Sequence, residues 1–210
     1  AAFTTSNACV GSPAIFTDNS THAPGDPITS WNWNFGDASP TATSSVQNPS
    51  HTYSIQNTYT VELIVNTANC THTISQTINI NVKPTADFTL TPINGCPTLT
   101  VNFTNTSANA TIYNWNFGNG NNSSATDPTE TFTNTTASNI IYTVNLTAST
   151  AAGCSDTHTS TVTVFTKPIS SFTVSAPAGC SPVAATFTNN SIGAINYNWS
   201  FGDASSSTST

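Results

Sequence analysis

Apolar and polar residues alternate with a period of two along much of the chain, a pattern that predicts β-strands. Trp31, Trp33 and Phe35 alternate with Ser and Asn, and residues 59–65 alternate Tyr, Val, Leu and Val with Thr, Glu and Ile. Residues 142–148 repeat the second pattern. Every second side chain of a strand points to the same face, so each segment has one apolar face to bury. Apolar residues at helical spacing do not occur, and we expect almost no helix.

The aromatic residues recur in a fixed register, which identifies an internal repeat. Trp33, Trp115 and Trp199 each stand in an aromatic-x-Trp-x-Phe-Gly block, at spacings of 82 and 84 residues. Further aromatic columns lie at the start of each unit and after its first cysteine, at Phe3, Phe88 and Phe172 and at Phe16, Phe103 and Phe187. Several short strands in about 82 residues, separated by Asn, Gly, Pro and Ser, are typical of a small two-sheet sandwich.

Two Lys-Pro pairs mark the boundaries between the units, at Lys83-Pro84 and Lys167-Pro168. Proline restricts itself and the preceding residue to extended conformations, so these joints should be short and stiff. We therefore predict sandwiches at residues 1–83 and 84–167, followed by the N-terminal half of a third at residues 168–210. We also expect the natural polypeptide to continue and to complete that third unit.

Three motifs in fixed order carry a resemblance to a known family. Residues 33–37 read Trp-Asn-Phe-Gly-Asp, residues 48–53 read Asn-Pro-Ser-His-Thr-Tyr, and residues 58–63 read Thr-Tyr-Thr-Val-Glu-Leu. In this the chain resembles the polycystic kidney disease (PKD) domain family. The second unit repeats the motifs but has Glu-Thr-Phe at residues 130–132, where the family usually has His-Thr-Tyr. The residues Gly-Cys-Ser-Asp-Thr at 153–157 are similar to repeats in surface and secreted proteins of gliding bacteria and their relatives.

The resemblance implies an all-β fold of tandem immunoglobulin-like sandwiches that serve as spacer, adhesion or protein-interaction modules without enzyme chemistry. It also implies a buried core motif, which comprises Trp33, Phe35, Trp115, Phe117, Trp199 and Phe201. Trp31 alternates with Trp33, and we expect it to face the interior too. Only Phe165 lies outside the repeat columns, and it suits a contact at a joint better than a stacking platform for sugars.

The cysteines recur in matching places, which suggests one disulfide in each complete unit. Cys9 and Cys70 lie near the two ends of the first unit, and Cys96 and Cys154 lie in matching positions of the second. We therefore predict the pairs Cys9–Cys70 and Cys96–Cys154, with Cys180 unpaired in this sequence. The alternative is five reduced, buried thiols. Disulfides indicate an oxidising, extracellular setting.

Composition and charge exclude several classes of function. Two lysines, no arginine and a net charge of −7 leave almost nothing to neutralise phosphates, so we exclude nucleic acid as a partner. No apolar run has the length of a membrane span. His22, His51, His72 and His158 share no repeat column and have no metal-ligand spacing, so we expect neither a catalytic site nor a bound cofactor. Calcium at the joint would have to use Asp87, but its counterpart in the third unit is Ser171.

Two functions of different kinds fit these observations. The first is an extracellular structural or adhesive array, either the stalk of a surface adhesin or the subunit of a filament, whose partners are further PKD repeats or like subunits. The second is an accessory region of a secreted hydrolase whose catalytic domain lies outside this sequence. A carbohydrate-binding module with surface glycans as partners is a third reading, and it has Phe165 as its one unassigned aromatic.

Overall fold

The fold is all-β, as the alternation predicts. The computed structural model describes residues 1–6, 8–175, 178–181 and 183–208, and it contains no helix within those ranges. Thr210, at which the third unit of the sequence analysis ends, lies outside the described residues. The strands form three successive groups that follow the internal repeat.

The first sandwich consists of two sheets built from eight strands. Its strands are β1 (Phe3–Thr5), β2 (Ala8–Cys9), β3 (Pro13–Asp18), β4 (Ser30–Asn34), β5 (Thr43–Ser44), β6 (Ser50–Thr52), β7 (Asn57–Asn66) and β8 (Thr71–Asn81). One sheet has the order β1-β3-β6 and the other β2-β8-β7-β4-β5. All pairs are antiparallel except β2 with β8, where Cys9 lies opposite Asn81.

The second sandwich repeats this topology strand for strand. Its strands are β9 (Phe88–Thr91), β10 (Asn94–Gly95), β11 (Leu99–Asn105), β12 (Ile112–Asn116), β13 (Asn122–Ser123), β14 (Thr129–Phe132), β15 (Ile140–Ser149) and β16 (Ser155–Val164). The sheet orders are β14-β11-β9 and β10-β16-β15-β12-β13. Here too a parallel pair joins the short second strand to the last one, with Gly95 opposite Val164.

Each sandwich has its own apolar core around the repeated tryptophan. Trp33 and Trp115 are fully buried, and each indole N–H donates a hydrogen bond of 2.9 Å to a loop carbonyl, at Val46 and Ala125 respectively. Phe35 and Phe117 are buried beside them. The two clusters of buried side chains share no residue, so each sheet pair is a separate hydrophobic unit.

The glycine that ends the tryptophan motif is required by close packing. Gly36 has a φ of +77°, and a Cβ there would lie 2.4 Å from the carbonyl oxygen of Thr60 on β7. Gly118 has a φ of +73° and would place a Cβ 2.5 Å from the carbonyl oxygen of Thr143 on β15. A side chain at either position would therefore clash with backbone as well as strain it.

The third group contains short strands and a partly open core. Its strands are β17 (Phe172–Ser175), β18 (Thr186–Asn189), β19 (Trp199–Ser200) and β20 (Ser206–Ser207). Trp199 contacts Phe172 with ring centres 5.3 Å apart, close to the 5.1 Å between Phe3 and Trp33 in the first sandwich. Phe172 is 55% exposed and Phe201 38% exposed, so the same motif lines an open apolar groove here.

Candidate functional site at the joint between the sandwiches

A disulfide between Cys9 and Cys154 crosses the joint between the two sandwiches. Cys9 is held at the end of β8 by the parallel β2–β8 pair, shortly before the linker begins. Cys154 lies at the tip of the β15–β16 hairpin and is 1% exposed. The Cα atoms of the two cysteines are 5.8 Å apart, within the range that a disulfide requires. The bond therefore ties the C-terminal end of the first sandwich to the N-terminal end of the second.

This bond shows that the predicted pairing within each sandwich is wrong. Cys70 directly precedes β8, whereas Cys9 lies opposite Asn81, the last residue of β8. Eleven residues of strand separate these two positions, or about 35 Å. Bonded Cα atoms lie less than about 7 Å apart, so Cys9 and Cys70 cannot meet without unfolding the sheet. The strand β16 separates Cys96 from Cys154 in the same way, and Cys70, Cys96 and Cys180 are free and exposed.

Asp156 fixes the linker from the second sandwich. Its Oδ1 lies 3.2 Å from Nζ of Lys83, and its Oδ2 accepts a hydrogen bond of 3.0 Å from the backbone N–H of Ala86. The hydrogen bond from Ala86 and the Lys83 ammonium together lower the pKa of Asp156. One carboxylate therefore holds the residues on both sides of Pro84.

The linker backbone also joins the edge of the second sandwich. Thr85 and Ala108 form an antiparallel bridge with N–H to O distances of 3.0 and 2.9 Å. At the next joint, Ile169 and Ile192 form the same bridge, with both distances 2.9 Å. Each linker is thus paired with the unit that follows it.

Asp87, the acidic residue considered for calcium, faces His158 within the second sandwich, close to the joint. Its Oδ1 lies 3.7 Å from Nε2 of His158, and the imidazole stands edge-on to the ring of Phe88 at 5.1 Å. Within the described ranges, no three His, Cys, Asp or Glu side chains come together as metal ligands would. Nor do these ranges contain a helix long and apolar enough to cross a membrane.

The turn motif of the first sandwich contains a buried His–Asp pair. Nε2 of His51 lies 2.7 Å from Oδ2 of Asp37, and His51 is 4% exposed. Burial alone would raise the pKa of Asp37, but the hydrogen bonds from His51 and Ser39 lower it further than burial raises it. In the second sandwich, Asn119 Nδ2 donates to Glu130 Oε1 at 2.9 Å. Asn119 corresponds to Asp37 and Glu130 to His51. The second sandwich therefore keeps the contact between these two positions, but the carboxylate belongs to the second of them.

The remaining aromatic candidates are less buried than the core tryptophans. Trp31 packs against the core only partly, and its indole N–H donates a 2.7 Å hydrogen bond to Oδ2 of Asp18. Trp31 thus contacts the core as expected, but it is only partly buried there. Phe165 is 39% exposed, and its backbone N–H donates to the carbonyl of Gly95 at 2.8 Å. This contact places Phe165 beside Cys96, at the far end of the second sandwich.

A family model matches both sandwiches, and two PKD domains of known structure are similar to this chain in sequence. A model of the family described as the PKD domain matches residues 1–82 and again residues 81–164. The PKD1 domain of the Vibrio cholerae metalloprotease PrtV is 36% identical over 40% of this chain and 98% of its own, with a TM-score of 0.32. For the PKD1 domain of Vibrio anguillarum Epp, the identity is 31% over 40% of this chain and 96% of that chain, with a TM-score of 0.34.

Other comparisons add less. The fibronectin(III)-like modules of Clostridium thermocellum CbhA are 14% identical over 79% of this chain and 94% of their own, with a TM-score of 0.44. A comparison with curated proteins finds no match. The family model covers far more than half of the sequence, in two tandem copies that coincide with the two sandwiches. The chain belongs to the PKD domain family.

Proposed function

We propose that this chain is a stiff segment of an extracellular array of PKD domains, with a structural or adhesive role and no catalysis of its own. The domains of this proposal are residues 1–83 and 84–167, followed at residues 168–210 by the first half of a third. Partners would be further PKD repeats or like subunits, in the stalk of an adhesin or in a filament.

The covalent joint is the observation that carries the proposal. A flexible tether between independent modules needs no bond across the joint, whereas a spacer must keep adjoining modules in line. Here the Cys9–Cys154 disulfide and the Lys83–Asp156 ion pair cross the joint. The Ala86–Asp156 hydrogen bond and the Thr85–Ala108 bridge hold the start of the second sandwich in place behind it. A disulfide also suits an oxidising compartment, which supports an extracellular location.

The stiffness of this joint can be measured by small-angle X-ray scattering on the full chain. We expect the oxidised protein to scatter as one elongated body of narrow size distribution, and the Cys154→Ser variant to show a broader distribution of dimensions. Cys70→Ser removes a free, exposed thiol and is the matched control. Equal breadth in the oxidised protein and in Cys154→Ser would contradict the spacer function.

Location can be tested separately with an antibody raised against the purified chain. We expect it to label intact cells of the producing organism, or material shed from them, without permeabilisation. Labelling that requires permeabilised cells would contradict an extracellular array.

A further inference from the structure

The free Cys70 occupies the position in the first sandwich that Cys154 occupies in the second. Both cysteines lie at the tip of the hairpin formed by the last two strands, β7–β8 and β15–β16. Thr67 N–H donates to the Cys70 carbonyl at 2.8 Å, and Thr150 N–H donates to the Cys154 carbonyl at 2.8 Å. The same threonines accept the cysteine N–H through Oγ1, at 3.0 and 3.2 Å. The same threonine therefore anchors the backbone of the cysteine at both tips.

The neighbouring contacts at the two N-terminal ends also match. In the second sandwich, the backbone nitrogen of Ala86 donates to Asp156, two residues after Cys154. In the first, Ala1 stands in the place of Ala86, and its N-terminal ammonium contacts Nδ1 of His72, two residues after Cys70. A shallow cavity lined by Ala1, Cys70 and His72 lies at this end. In both sandwiches the first residues thus lie beside the tip of the last hairpin. In the second sandwich this is the place where Cys9 bonds to Cys154.

The two tips differ in exposure: Cys154 is buried in a disulfide, whereas Cys70 is exposed. We propose that Cys70 is the attachment point for a preceding PKD repeat, whose cysteine in the Cys9 position bonds to it. The inference rests on the proposed array and names its linkage, which is a disulfide from the C-terminal end of one repeat to the hairpin tip of the next.

The cysteine at the other end of the second sandwich fits the same linkage from one repeat to the next. Cys96 follows Gly95, which lies opposite Val164 near the end of β16, just as Cys9 lies opposite Asn81 at the end of β8. Cys96 is exposed, and its neighbour Gly95 pairs with Val164 and Phe165, directly before the linker to the third unit. By the same rule it bonds to the hairpin tip of that unit, and Cys180 bonds to the unit after it. Each free cysteine then has a partner in an adjoining repeat.

The chemistry is an ordinary two-electron oxidation. Two thiols lose two protons and two electrons as the S–S bond forms. The acceptor is a small-molecule disulfide such as oxidised glutathione, whose S–S bond breaks to give two glutathione thiols. Exchange proceeds through a mixed disulfide and needs an accessible thiol, which the exposure of Cys70 provides.

The test places a second copy of residues 1–83 directly before Ala1 of the full chain. In that added copy, Cys70→Ser leaves one Cys70 in the molecule, and Thr5→Ser changes the mass of the peptide that contains its Cys9. After oxidation with glutathione disulfide, alkylation and chymotryptic mapping without reduction, we expect the mass-shifted Cys9 peptide of the added copy to be linked to Cys70. Labelling of Cys70 should be lost, while Cys96 and Cys180 stay alkylated.

A matched control carries Cys9→Ser in the added copy, and there Cys70 should be alkylated as in the original chain. The proposal is overturned if Cys70 remains alkylated in the extended chain, or if it bonds to the unshifted Cys9 peptide of its own sandwich. Neither outcome would alter the scattering comparison of oxidised protein with Cys154→Ser, so the array function and this linkage fail independently.

Discussion

Reduction of the Cys9–Cys154 disulfide should lengthen the chain greatly under tension while leaving both sandwiches folded at rest. The bonded cysteines are 145 residues apart in sequence, so a force applied at the two termini crosses the S–S bond and bypasses everything between them. A stretched residue spans at most about 3.3–3.6 Å. While the bond is intact, the segment between the two cysteines cannot extend, and this shortens the contour length by about 50 nm.

Single-molecule force spectroscopy on the full chain, held at its termini, measures this length directly. The oxidised protein should extend only through the segments outside the bonded cysteines. Addition of a reductant, or the Cys154→Ser variant, should add the missing length of about 50 nm, with unfolding events of both sandwiches. Cys70→Ser keeps the disulfide and should behave as the oxidised protein does. Equal total contour lengths for Cys154→Ser and Cys70→Ser would refute the bond that spans the joint.

The same reduction should leave both sandwiches folded in the absence of force, because their two cores share no residue. The disulfide joins one sandwich to the other and does not cross-link two strands of the same sandwich. Far-ultraviolet circular dichroism and tryptophan fluorescence should be unchanged on reduction without force. Loss of either signal would show that the sandwiches depend on the joint for their stability.

Three further predictions concern the first sandwich. Gly36→Ala should lower the free energy of unfolding by about 2–3 kcal/mol, since the Cβ meets the backbone at 2.4 Å, whereas Gly25→Ala, with a φ of +83° but open space, should cost only about 1 kcal/mol; urea denaturation compares them, and equal costs would contradict the clash. Trp33→Ala should cost about 3–5 kcal/mol in the same assay because it empties a fully buried site, and a loss below about 1 kcal/mol would contradict that burial. Because the pKa of Asp37 is lowered in the folded state, the ionised carboxylate stabilises the fold fully above its unfolded pKa of about 4, and this stabilisation is lost as the pH falls below that value. The wild type should therefore lose more unfolding free energy between about pH 5 and about pH 2 than Asp37→Asn does. Parallel plots of unfolding free energy against pH for the two proteins would contradict a stabilising role of the His51 contact.

The sequence predicts the fold well because its signals are local and repeated. Period-two alternation identifies strands such as β7 and β15, and the tryptophan columns align the units without any knowledge of their pairing. Burial of Trp33 and Trp115 follows from the same alternation. Trp31 differs because a nearby carboxylate, Asp18, gives its indole N–H a partner at the margin of the core, and position along the strand does not show that.

The cysteine pairing could not be predicted from matching columns alone. Matched positions show that Cys9 corresponds to Cys96 and Cys70 to Cys154, but they do not show which ends of the sandwich these positions occupy. Strand length carries part of that information. Residues 71–82, rich in β-branched side chains, predict a strand long enough to separate Cys70 from the far end of the sheet. That Cys9 lies at this far end follows only from its pairing opposite Asn81 in the structure, and this pairing excludes a bond within one unit.

The lysines and the disulfide of this chain lie at its joints. Both basic side chains, Lys83 and Lys167, stand in linkers, and Lys83 pairs with Asp156. Charged residues make up only 5% of the sequence, so the surfaces of the sandwiches are hydrated mainly through hydroxyl and amide groups. These neutral groups exert no long-range electrostatic force on a neighbouring unit. The orientation of successive units must then come from contacts at the joint itself. A disulfide supplies this at any ionic strength, whereas the exposed ion pair beside it contributes about 0–1 kcal/mol and weakens with salt. The joint should therefore keep its alignment in concentrated salt and lose it in reductant.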